Sequence, residues 1–575
     1  MLASRASRET WLFWIVAVLV LGAGIGLRDP WPADEPRFAL VAKQMVESGD
    51  WLFPHRGTEL YSDKPPMFMW TQAAAYTLTG NWRVAFLLPS LLAALGTLWC
   101  VVDLGRRLWT RRVGLYAGWA LLLTLHFTYQ AKKAQIDPSV VFWITLANYG
   151  LLRHLLQGPR WGWWWLGWCA AGIGTITKGV GALALLMIVP AAVASFARWP
   201  NVRLHARDWR FWSAPLAFVA AVSLWLVPMV LAATARAAHD PAYRAYMDDI
   251  LFRQTAGRYA KSWDHHNPPW YHLGVMLTMW LPPMLALPWA LPAWRRRLKR
   301  RDARYLLPIA WWALIVVFFS IPDGKRDVYI LPALPMACLA LAPLLPGVLR
   351  RRAMRGLLAA FVALLAVATA ALGAAVLAGH ADLQAKLVAQ RGFSAGEMRA
   401  LGAFLLAVGA WMAGALLWFR VRRAPQAVAW ALAGLWVLFG LVGYPILNRS
   451  SSADEVMTRA SRLVGNGELA LVAWREQNLL AIDRPVVTFG FAKNEDWSEQ
   501  WVRQWQQAIP WQRARPRRFV FALGEAIPTC VDRAQAIALG IANRRDWWLL
   551  PEAATRGCDP KAIALDPRAD GKDAD

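Results

Sequence analysis

Charged and polar side chains able to act on a substrate gather in a few short segments of this 575-residue chain. Residues 29–51 read DPWPADEPRFALVAKQMVESGDW, with Asp34 and Glu35 at the head of a helical pattern. Either carboxylate suits two jobs: capping the helix through backbone N–H groups, or serving as a general base. Further along, YSDKPPMFMW sets Asp63 beside Lys64, ahead of a rigid Pro65–Pro66 pair. Such a lysine can hold a lipid phosphate as a point charge, or simply snorkel from an interface. A third segment, RYAKSWDHHNPPWYHL, carries His265 and His266. Adjacent histidines do not easily face one site, so at most one of them acts. Lys132, Lys133 and Asp137, then Lys178 in the turn TKG, then Lys325, Arg326 and Tyr329 in DGKRDVYILPALP complete the set. Gathered on one side of a membrane, they would suit an anionic, lipid-linked substrate.

The elements that must position these groups are apolar. Hydrophobic residues make up 57% of the chain and charged residues 17%, with a mean hydropathy of +0.30. The apolar residues fall in runs of about twenty, the length that crosses a hydrocarbon core. This excludes a disordered chain and argues against a soluble enzyme. The net charge is +26, but the basic residues sit in loops between apolar runs, which weakens a nucleic-acid reading. Thirteen spans are predicted, near 11–27, 83–102, 113–131, 138–156, 161–177, 179–197, 211–233, 271–290, 305–321, 327–346, 356–378, 400–419 and 426–446. Arginine clusters mark alternate loops, including Arg106–Arg112, Arg295–Arg304 and Arg350–Arg355, and all fall on one face. That face is assigned to the cytoplasm. The first span then reads as a retained signal-anchor, and the odd count leaves the C-terminus outside. Many of the 37 tryptophans adjoin loop arginines, as an interfacial belt would.

Residues 1–446 thus form a polytopic helical membrane part whose longest loop between spans is the first outer one, 28–82. Within it, the helix opening at Asp34 or Glu35 should close near Gly49. Its stripe of Phe38, Val41, Ala42 and Met45 suggests that it lies along the membrane surface. From residue 447 the apolar runs shorten to strand length (LALVAW, PVVTFG, RRFVFAL), so 447–575 is read as a small α/β domain outside the membrane. Cys530 and Cys558 lie in that domain, either paired or as two free thiols; Cys100, Cys169 and Cys338 lie in spans. No cysteine spacing resembles a zinc or iron–sulfur site, and no glycine-rich phosphate loop suggests a nucleotide or ATP. A lipid-linked saccharide transporter or flippase is the alternative class. It would call for charged midplane sites and repeated halves, whereas the span centres are nearly free of charge and no repeat is evident.

The segments ADEPRFALVAKQMVESGDW, SDKPPMFMW, AQIDP, TKG and KRDVYILPALP resemble the bacterial lipid A 4-amino-4-deoxy-L-arabinose transferases. These are GT-C glycosyltransferases, like the protein O-mannosyltransferases, and the resemblance runs from residue 10 to about 345. It implies an inverting enzyme of the inner membrane, its site facing the periplasm, with an undecaprenyl phosphate-linked sugar as donor. Lipid A is the implied acceptor, with protein or polysaccharide as alternatives within the superfamily. By the same resemblance Asp34 is the catalytic carboxylate, and Arg37 and Lys64 hold the donor phosphate. Tyr329, Lys325, Asp137 and Lys178 line the cavity. Asp63 and His265 would hold a divalent metal ion, by carboxylate and imidazole. Two departures stand out: Asp63 replaces the family's glutamate, and Pro36 replaces a residue that is usually glycine. Both bear on the metal site and on the identity of the sugar.

Overall fold

The structure, a computed structural model, describes residues 5–252, 266–491 and 496–566. Among the described residues, six helices are long and apolar enough to cross a membrane: Trp82–Leu108, Trp209–Arg236, Ala303–Ser320, Arg352–Leu377, Ala395–Phe419 and Val421–Ser451. A seventh crossing results if Tyr271–Thr278 and Pro283–Lys299, bent by 96°, count as one. The break lies at 279–282, ending on Pro282 just ahead of Pro283, where proline removes helix donors. The other predicted spans lie on helices that fall short of that length or apolarity, or are broken. Residues 113–131, for instance, split at Leu123–Thr124 into Arg111–Leu122 and Leu125–Ala131. Outward-facing side chains show why a bilayer is needed: Leu224, Leu417 and Trp418 are 70%, 77% and 83% exposed.

Eight helices frame the charged segments: α1 (Arg5–Gly22), α2 (Glu35–Ser48), α3 (Met67–Thr79), α4 (Leu125–Ala131), α5 (Ile136–Leu156), α6 (Trp161–Lys178), α7 (Tyr444–Ser451) and α8 (Glu476–Ala481). Helices in lipid gain little from apolar burial against one another and rely on close packing of small residues. Accordingly Gly150 of α5 meets α6 so closely that an added Cβ would lie 2.4 Å from the Trp163 carbonyl oxygen.

The first outer loop is more structured than the sequence suggests. Pro66 opens α3, a helix not expected within the 28–82 loop. The apolar stripe of α2 packs against it: Phe38, Val41, Ala42 and Met45 are all buried, and the Phe38 and Phe68 rings meet edge to face at 5.5 Å. The stripe therefore faces protein rather than the bilayer surface. A two-stranded hairpin, β1 (His55–Arg56) with β2 (Glu59–Leu60), lies between α2 and α3.

Residues 453–565 build a core of their own. Five strands, β3 (Glu468–Val472), β4 (Val486–Thr488), β5 (Arg518–Leu523), β6 (Ile537–Ala542) and β7 (Arg545–Leu550), line up as β4-β3-β5-β7-β6. β3 runs parallel to β4 and β5, while β7 runs antiparallel to both β5 and β6. The three strand-like runs of the sequence form β3, β4 and β5. The β6–β7 hairpin carries no glycine signal, because its turn uses Asn543 and Arg544 at φ of 51° and 63°.

Cys530 and Cys558 are bonded, 28 residues apart. A crosslink over a loop of that length restricts the unfolded chain by about 3.5 kcal/mol. Replacing both cysteines by serine is expected to destabilise this unit by about 2–4 kcal/mol. Faster amide exchange across β5 and β7 than in the bonded protein would report it; unchanged exchange would show the bond to be dispensable.

Candidate active site

Helix α2 is built as its residue types require. Pro36 sits in the first turn, and Gly49 ends the helix at φ 73° with its N–H on the Met45 carbonyl. Asp34 stands at the N-cap position, yet its side chain makes no capping hydrogen bond. Its carboxylate instead accepts a long hydrogen bond from Gln135 Nε2 (3.4 Å) and lies 3.8 Å from the Arg37 guanidinium. About a quarter of that side chain is exposed. A carboxylate not used as a cap and partly open is available for chemistry.

Glu35 takes a structural part. It is buried and receives both terminal nitrogens of Arg28, the Trp31 N–H at 2.8 Å and the Ala134 N–H at 2.8 Å. The Arg28 guanidinium also lies against the Trp31, Tyr444 and Phe86 rings at 4.6, 4.9 and 5.2 Å. Asn448 of α7 closes the knot, accepting from the Asp29 N–H and the Trp31 indole. This clasp fixes the start of α2 against the Lys132–Ala134 turn and α7, and so fixes where Asp34 points.

Lys132 belongs to the same clasp. Its Nζ donates to the Val20 and Ala23 carbonyl oxygens at the end of α1, at 3.1 and 2.7 Å. Burial, with the Arg28 charge adding to it, pushes the amine down to about 7. The unfolded chain therefore keeps a proton that the folded chain has released between about pH 7 and pH 10.4. Across that window rising pH favours the fold. The thermal midpoint of the wild type should rise with pH relative to Lys132→Met; parallel profiles would refute the assignment.

Two clusters of charge flank Asp34. On one side Arg37 Nε donates to Glu476 of α8 at 3.1 Å, and Arg56 of β1 lies 3.5 Å from the same carboxylate and 3.9 Å from Asp63. Arg56 also stacks over Phe491 at 3.8 Å. Burial alone would raise the Glu476 carboxyl; the Arg37 and Arg56 charges outweigh it and hold it below the usual carboxylate range. Lys64, half-buried, follows Asp63 on this loop. On the other side Asp137, in the first turn of α5, pairs with Lys178 at the end of α6. The Lys178 Nζ lies 5.8 Å from the Tyr329 ring centroid.

The structure thus brings Asp34, Arg37 and Asp63 into one network and Asp137, Lys178 and Tyr329 into another, with Gln135 between them. Lys325 joins neither: it is buried, with Nζ on the Asn267 carbonyl at 2.8 Å, and braces 266–267 against 323–325. Among the described residues no three His, Cys, Asp or Glu side chains gather as a metal site needs. Asp63 lies 3.9 Å from the Arg56 guanidinium, and His265 lies outside the described residues. No motif or spacing marks Arg56 or Glu476 beforehand. Glu476 joins the site through contacts with segments about four hundred residues or more away, whereas Arg56 also meets Asp63 on its own loop.

The helical array and the carboxylate–arginine network at one end of it define a polytopic membrane protein of the GT-C glycosyltransferase fold. The backbone matches the crystal structure of ArnT from Cupriavidus metallidurans bound to undecaprenyl phosphate with a TM-score of 0.70, at 20% identity, over 95% of this chain and 98% of that one. Residues 63–228 match the family described as dolichyl-phosphate-mannose-protein mannosyltransferase. More specifically, the chain belongs to the undecaprenyl phosphate-α-4-amino-4-deoxy-L-arabinose arabinosyl transferase family. It is 30% identical to the member from Pseudomonas aeruginosa over 505 residues, covering 81% of this chain and 84% of the relative. With the Pectobacterium carotovorum member it shares 32% identity over 367 residues, 61% of this chain, and the match spans 62% of that relative's length.

Proposed function

We propose that this chain is an inverting glycosyltransferase of the bacterial inner membrane, moving 4-amino-4-deoxy-L-arabinose from undecaprenyl phosphate to lipid A. The observation that carries the reading is Asp34: a partly open carboxylate, unused as a cap, one helical turn from Arg37. It sits there in a chain whose family relatives are named for this donor.

In this reading the acceptor oxygen attacks the anomeric carbon from the face opposite the donor phosphate. One bond forms between that oxygen and the carbon. The bond from the carbon to the phosphate oxygen breaks, and undecaprenyl phosphate leaves with the electron pair. Asp34 deprotonates or orients the acceptor. Arg37, with Lys64 on the neighbouring loop, stabilises charge that grows on the departing phosphate. Lys178, held by Asp137 and beside Tyr329, lines the cavity where the sugar lies. No step is routed through a metal ion. The site and the 447–575 domain face the periplasm, and the chain crosses the membrane thirteen times.

Lipid A mass spectra test the reading. Cells lacking the protein should lose one aminopentose mass increment, and wild-type complementation should restore it. Unchanged lipid A, where the protein is shown to be made, would remove lipid A as acceptor and direct the search to glycoproteins and surface polysaccharides.

A further inference from the structure

Glu476 comes from a different part of the chain from the rest of the site. It is the first residue of α8, in the C-terminal unit, and it reaches back to α2 and β1 to contact Arg37 and Arg56 together. Only 8% of the residue is exposed. A carboxylate clamped by two guanidinium groups has the same hydrogen-bonding chemistry as a phosphate oxyanion held by arginine forks.

The charges of the network sharpen the point. Arg37 and Arg56 face the carboxylates of Asp34, Asp63 and Glu476. Two cations against three anions, with Lys64 alongside, leave no surplus positive charge among the described residues for a phosphodiester, and still less for the phosphate monoester that leaves. The three carboxylates oppose an entering anion, and displacing one of them lowers that opposition. Asp34 and Asp63 sit on the segments that build the site. Glu476 alone is presented by another unit, at the tip of a six-residue helix.

We propose that Glu476 occupies the donor-phosphate seat when no donor is bound, and that the phosphate of the polyprenyl donor displaces it. Donor binding and the docking of α8 then compete for Arg37 and Arg56. This rests on the reading of Arg37 as a donor-phosphate ligand. Competition of this kind is reciprocal: donor binding weakens the docking of α8 by the same factor as docking weakens donor binding.

The experiment uses the full chain in lipid nanodiscs, with undecaprenyl phosphate as the probe. Glu476→Gln keeps the shape and removes the charge. It should bind the probe about tenfold more tightly than wild type, a typical size for coupling between two sites. Glu476→Asp, with a shorter reach to the arginines, should fall between the two, and it serves if the glutamine variant does not fold. In the wild type, saturating probe should speed amide exchange in 476–481. Equal or weaker binding by these variants, or exchange in α8 that stays level or slows, overturns the displacement. Arg37→Ala separates the two ideas. If it weakens probe binding while Glu476→Gln leaves it unchanged, the phosphate seat stands and the displacement falls. If Arg37→Ala binds like wild type, the seat is elsewhere and both fall.

Discussion

Asp34→Asn is expected to lower the rate of sugar transfer by about two to four orders of magnitude, the usual worth of a positioned general base. Donor binding should not weaken. The separation comes from the geometry. The Asp34 side chain makes no capping bond, so asparagine, itself a good cap, costs α2 nothing. Its contact with Arg37 is long, at 3.8 Å, and Arg37 keeps the shorter bond to Glu476. What the substitution removes is a negative charge able to take a proton or align an acceptor. Single-turnover transfer from undecaprenyl phosphate-linked aminoarabinose, with donor affinity measured on the same preparation, reads both quantities. A rate within tenfold of wild type would remove Asp34 from the chemistry. A parallel loss of binding would instead make it part of the donor seat.

Glu35→Ala is expected to be the most damaging substitution for stability, by about 3–5 kcal/mol. Arg28 and Glu35 are both buried, and removal of the carboxylate leaves a guanidinium away from water without its counter-charge. The Trp31 and Ala134 N–H groups lose their acceptor in the same step. The aromatic rings around Arg28 offset only part of that cost. Because the penalty is that of an orphaned charge, Arg28→Met in the Glu35→Ala background should restore part of the loss instead of adding to it. Unfolding in mixed micelles across the two single variants and the double variant tests this. Additive losses would mean that the two side chains stabilise the clasp independently.

The adjacent pair Asp34–Glu35 shows how much of the site is legible before folding. Residue types and spacing place a helix start there, together with its close at Gly49, and leave each carboxylate open to a structural or a chemical part. The fold divides those parts: Glu35 turns inward onto Arg28, whereas Asp34 stays partly exposed. No local pattern separates two neighbouring acids whose partners lie at residues 28, 134 and 135. Lys325 shows the same limit in reverse. Its motif suggests a cavity residue, and burial against Asn267 makes it a brace.

What the sequence by itself determined is the membrane character, α2 and three strands of the C-terminal sheet. Each rests on local periodicity or on runs of apolar residues long enough to demand lipid, which neighbours in the fold cannot reverse. Tertiary structure decided the rest. It broke several apolar runs, turned the α2 stripe onto α3, and set Glu476 of the C-terminal unit on Arg37 and Arg56. Those outcomes depend on burying charge beside charge and ring beside ring across hundreds of residues. A buried ion is tolerated only where a partner waits, and that partner is chosen by the whole fold.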